Sequence, residues 1–279
     1  MRFPRFWSRA ASGDTFAWGW SENGEGDAQA QAEARLRRIQ SWLASDRRSP
    51  LNRYGYADRP LREPVLREFA AGDGRPRAIV SRNSYGCEVL NTAELMFVDV
   101  DVGESTPAGP SLLAKLFGGS KPPSVSPEER RVRTTIETWL RANPGWGWRL
   151  YRTRAGFRLA ATHAPIAPDH ALASAAFETF GADPLYRSLC KSQACFRARL
   201  TPKPWRCGSG NPPARWPFAD AQAEAVFQKW EASYRRRAEA FATCGLLGQF
   251  GSPQIHSALR DLVEYHDTVA RATARLPLA

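Results

Sequence analysis

Leu95-Met96-Phe97-Val98-Asp99-Val100-Asp101 is an apolar run closed by two carboxylates two positions apart. Successive side chains of a strand point to opposite faces. As a strand, the run sends Met96, Val98 and Val100 to one side and Phe97, Asp99 and Asp101 to the other. Paired carboxylates on one face of a buried strand repel each other and are costly to desolvate unless a cation lies between them. Mg2+ or Mn2+ is the simplest such cation, because a hard ion prefers oxygen ligands. The plainer alternative is that Asp99 ends the strand and Asp101 opens the loop at Val102-Gly103.

Working outward, Ala78-Ile79-Val80-Ser81, the turn Arg82-Asn83-Ser84-Tyr85-Gly86 and Cys87-Glu88-Val89-Leu90 lead into this run. Three short strands with brief connections predict an antiparallel meander. Before them, residues 63–70 read as a short helix. Near the start, Phe16-Ala17-Trp18-Gly19-Trp20-Ser21 reads as a strand, followed by a helix over 27–44 with Leu36, Ile39, Trp42 and Leu43 inward. After the run, 103–127 is rich in Pro, Gly, Ser and Thr around an apolar island at 112–117, which predicts a loop or flap. Ser126, Pro127 and Glu129 form the start signal of a helix whose inner stripe is Val132, Ile136, Trp139 and Leu140. A hairpin follows, with strands 148–153 and 157–163 and Gly156 supplying a tight turn or letting a ligand approach the backbone. A helix over 169–180 stops at Gly181, and Cys195 to Arg206 makes a dense basic strand. Two amphipathic helices, 219–243 and 253–273, close the chain.

Composition bounds the function. The chain has 279 residues, 43% of them hydrophobic, which suffices for one large globular domain or a domain with a helical appendage. No apolar run is long enough to span a membrane and no secretory signal is evident, so a cytoplasmic location is expected. The net charge of +11, carried almost wholly by Arg, fits a polyanionic partner, because guanidinium grips phosphate in a bidentate way. Five cysteines without a secretory signal read as reduced thiols. Cys190, Cys195 and Cys207 with His163 lack the CxxC spacing of a zinc site. The basic strand has Phe196, Trp205 and Trp216 among its cations, and such rings are either core or stacking platforms for single-stranded nucleic acid. Ten tryptophans favour core for most of them.

Taken in order, Asp99-Val100-Asp101, the hairpin Thr153-Arg154-Ala155-Gly156-Phe157-Arg158, Asp183-Pro184-Leu185-Tyr186, Cys195-Phe196-Arg197 and Lys203 resemble the motif series of the archaeo-eukaryotic primase superfamily, nearest its primase-polymerase branch. The resemblance covers 78–206. It implies that Asp99, Asp101 and Asp183 hold two Mg2+ or Mn2+ ions, and that Thr153, Gly156, Arg158, Arg197, Arg199 and Lys203 bind a nucleoside triphosphate. The chain has Gly156-Phe157-Arg158 where the family has Ser-x-His, unless His163 substitutes from the far end of the strand. Guanidinium there suits phosphate binding more than catalysis. Asp183 has a second reading as the cap of the following helix, since it precedes a proline after a Gly-terminated helix.

The expected architecture is therefore α+β, a mostly antiparallel sheet covered by helices over 1–217 and a C-terminal helical pair over 218–279. The expected function is a metal-dependent nucleotidyl transferase of primase-polymerase type acting with nucleic acid and nucleoside triphosphate. A non-catalytic nucleic-acid or nucleotide-binding module of the same fold is the alternative. A metal-dependent nuclease uses the same carboxylate logic.

Overall fold

The structure, a computed structural model, describes residues 1, 3–45, 60–72, 74–102 and 125–279. The island at 112–117, the flap around it as far as 124 and the Arg-, Asn- and Pro-rich loop at 46–59 lie outside the described residues. In chain order the elements are β1 (Phe6–Ser12), β2 (Thr15–Ser21), α1 (Glu25–Ala44), β3 (Val65–Ala70), β4 (Pro76–Arg82), β5 (Glu88–Thr92) and β6 (Phe97–Asp101). Then come α2 (Pro127–Ala142), β7 (Gly147–Thr153), β8 (Gly156–Ala161), α3 (Ala171–Thr179), α4 (Pro184–Gln193), β9 (Phe196–Arg199), α5 (Ala221–Ala238), β10 (Cys244–Gly251) and α6 (Arg260–Val269). The fold is α+β with antiparallel sheets, and no helix among the described residues is long and apolar enough to cross a membrane.

Small residues decide the N-terminal unit. Ala10 and Ala17 face each other across the β1–β2 ribbon and bury against Ala32 and Leu36 of α1. The two larger sheets run β3-β4-β5-β9 and β10-β7-β8-β6. Val80, Leu90 and Phe196 of the first sheet share one core with Phe97, Phe157, Leu159 and Trp148 of the second. α2 starts as its sequence signals, with Ser126 Oγ accepting from the Glu129 amide at 3.1 Å. Its Trp139 packs against Trp146 and Trp148 with ring centroids at 5.0 and 6.3 Å. Aromatic pairs in this geometry add to their area burial.

Four expectations change. Residues 65–70 form a strand, not a helix, because β4 offers a pairing edge. The three-strand meander divides: β4 pairs β5, but β6 leaves for the second sheet and β9 takes the far edge of β5. Thr92 Oγ1 accepts the Glu94 and Leu95 amides, both at 3.1 Å, and makes that departure. The basic strand shortens to Phe196–Arg199, followed by a single 3-10 turn at Pro204–Cys207. The C-terminal helices are present but shorter than expected, and β10 stands between them, paired to β7 with a bulge between Leu246 and Gly248.

The two sheets abut along β6 and β9. The Tyr186 hydroxyl sits in this seam, 3.3 Å from the Phe97 carbonyl and 3.1 Å from that of Arg197.

Candidate nucleic-acid interface

Register places Asp99 opposite Arg158 and Asp101 opposite Gly156. A Cβ on Gly156 would lie 2.0 Å from the Val100 carbonyl oxygen, so glycine serves the close approach of β6. Arg158 is buried and holds Asp99 at both oxygens, Nε to Oδ1 at 2.8 Å and Nη2 to Oδ2 at 3.1 Å. Its Nη1 donates across the seam to the Arg199 carbonyl at 2.9 Å. Burial alone would lower the Arg158 pKa, but the Asp99 carboxylate outweighs it and holds the guanidinium above its ordinary value.

Behind Arg158 lies a polar chain absent from the sequence reading. His266 Nε2 is 3.4 Å from Arg158 Nη1, and its Nδ1 is 2.9 Å from Asp267 Oδ1. The Tyr151 hydroxyl donates to the same Asp267 oxygen at 2.8 Å, and Arg149 pairs with the other. The arrangement fits a neutral ring that donates from Nδ1 and accepts at Nε2. Burial pushes the His266 pKa down, with Asp267 opposing and Arg158 reinforcing. The sequence places His266 in one stripe with Ile255, Leu259, Leu262 and Val263 of the last amphipathic helix, which marks it as inward without naming its partners.

In front of Arg158 the surface is cationic. Arg199 Nε is buried and meets no acceptor among the described residues. Burial and then Arg158 lower the Arg199 pKa. Partial burial lowers that of Lys203, and Arg199 and Arg206 add to the effect. Asp101 opposes it weakly from the end of β6. Cations that depress one another mark an excess of positive charge that an arriving anion relieves.

Two exposed rings border this charge. Tyr85, in the β4–β5 turn, and Trp205 meet edge to face with centroids at 5.3 Å, and are 46% and 49% exposed. Lys203 Nζ stands 5.4 Å from the Trp205 ring centre. Of the rings considered as platforms, Phe196 is wholly buried and Trp205 is not. The core expectation for the tryptophans holds for Trp139, Trp146 and Trp148.

The remaining sequence candidates lie elsewhere. Asp183 caps α4, accepting the Tyr186 amide at 2.9 Å. Arg197 pairs with Glu63 at 2.8 and 3.1 Å, with Ser81 and Asn91 completing a buried network. Thr153 ends β7, between Gly156 and Cys244. His163 stacks on Trp146 at 4.2 Å. Cys190, Cys195 and Cys207 are buried thiols, with burial pushing the first two up to about 12 and about 11. No group of three or more His, Cys, Asp or Glu side chains suited to a metal ion occurs among the described residues. Comparison with protein-family models, curated proteins and solved structures finds no match to the chain.

Proposed function

We propose that the protein is a non-catalytic nucleic-acid-binding module that holds a single strand at the seam between its sheets. The observation that carries this reading is the pairing of an exposed Tyr85–Trp205 platform with the cations Arg199 and Lys203. Bases stack on such rings whatever their identity, while cations follow the backbone. The transferase reading has less support. Arg158 engages both Asp99 oxygens, and Asp183 serves as a helix cap. A metal would have to displace a buried guanidinium from its counter-ion.

Fluorescence anisotropy with a labelled oligothymidylate at low salt tests the reading. Wild-type protein is expected to bind equally with and without a chelator of divalent ions. Trp205→Ala should weaken binding about 5- to 150-fold, the worth of one stacked base. Primer extension with Mn2+ should give no incorporation. Incorporation that Asp99→Asn abolishes would overturn the module in favour of the transferase, and absence of binding at low salt would overturn both.

A further inference from the structure

At the β4–β5 turn, lined by Asn83, Ser84 and Gly86, lies a half-enclosed cavity of about 50 Å3. One water needs about 10–15 Å3 of such space, so there is room for a phosphate group. Arg62, Arg82, Ser84 and Arg215 line it, with Trp216 and Phe227 as apolar walls. No carboxylate is among the described lining residues. Arg82 lies over the Phe227 ring at 5.2 Å and pairs with Glu231, but its Nε is buried without an acceptor among the described residues. Arg215 is exposed and has no ion pair among the described residues. Arg62 lies 4.2 Å over the ring of Trp18 in β2.

We propose that this cavity seats one backbone phosphate of the bound strand, an inference that rests on the strand-binding reading above. Ser84 and Gly86 line the cavity and flank Tyr85 of the stacking pair in the chain, which brings the backbone of a strand with a base on Tyr85–Trp205 within reach of it. Planar guanidinium groups match phosphate oxygens two at a time, and apolar walls strengthen the contact by excluding water. Beyond the cavity, Arg62 leads to Trp18 on the ribbon face opposite α1, which prolongs the same alternation of ring and cation.

Arg215→Ala decides the matter, since this side chain is exposed and its loss leaves the core untouched. In oligothymidylate anisotropy it should weaken binding about 5- to 10-fold and reduce the slope of log K against log salt by about 0.7, the share of one phosphate on a single strand. Arg131→Ala, the same charge change at an exposed position of α2, should leave both nearly unchanged. Arg62→Ala should act as Arg215→Ala does. Arg215→Ala that matches Arg131→Ala in affinity and slope overturns the cavity and leaves the platform standing. If wild-type protein binds no strand, the strand-binding reading fails by itself, and 31P line broadening of inorganic phosphate then judges the cavity. Broadening lost in Arg215→Ala would assign it to free phosphate, and no broadening in wild type would overturn it.

Discussion

Arg158 carries its guanidinium into the seam with Asp99 as its counter-ion, so a change at Asp99 separates two chemistries. If Asp99 and Asp101 are strained by mutual repulsion, as a vacant metal site would be, Asp99→Asn leaves stability unchanged or raises it. If Asp99 neutralises Arg158, Asn strands a buried charge. A fully buried broken pair costs about 3–5 kcal/mol. Asp99 is 37% exposed, so water compensates in part, and a loss of about 1–3 kcal/mol is expected from urea unfolding. A companion prediction concerns His266, which faces Arg158 of β8, Tyr151 of β7 and its own neighbour Asp267. Its folded pKa is lowered, so below about 6.5 the unfolded chain binds the extra proton and stability falls with pH. Urea midpoints should drop from pH 7 to 5, and His266→Gln should remove part of that slope, leaving the share of His163, whose pKa burial also lowers. An unchanged slope in His266→Gln would falsify the buried neutral ring. None of this pairing was legible in the sequence, because Asp99 and Arg158 meet only through strand register across 59 positions.

At the scale of elements, what local signals specify was legible and what pairing specifies was not. α2 announces itself through Ser126, Pro127 and Glu129, and the β7–β8 hairpin through the Arg154-Ala155-Gly156 turn between two strand-like runs. β10 hides because Cys244–Gly251 holds three glycines, which weaken any strand pattern, and it exists as a strand through the edge that β7 offers. β3 was misread because its burial does not alternate. The Asp183 cap, by contrast, was one of two readings that local sequence allowed. It gives a direct test: Asp183→Ala should cost about 1 kcal/mol through the start of α4, and Asp183→Ser should restore most of it. Both variants should bind oligonucleotide as wild type does once folded. A large loss of binding in Asp183→Ser, measured by anisotropy, would instead place the carboxylate in the binding machinery.

For the whole molecule, the net charge of +11 and the aromatic platform make separable contributions to binding. Charge acts through counterions: each phosphate neutralised on a single strand contributes about −0.7 to the slope of log K against log salt. Stacking releases no counterions, so it shifts the line without tilting it. Lys203 belongs to the cationic cluster and Trp205 to the platform, yet the two side chains touch, so affinity at one salt concentration would not tell them apart. Anisotropy titrations across a salt series do. Lys203→Ala should flatten the slope by about 0.7, with the variant line meeting that of wild type at high salt. Trp205→Ala should run parallel to wild type at an affinity about 5- to 150-fold lower. Parallel lines for both variants would mean that Lys203 supports the ring and touches no phosphate. A flattened line for Trp205→Ala would mean that the ring acts by holding Lys203 in place, and the platform would then be a mount for charge instead of a seat for a base.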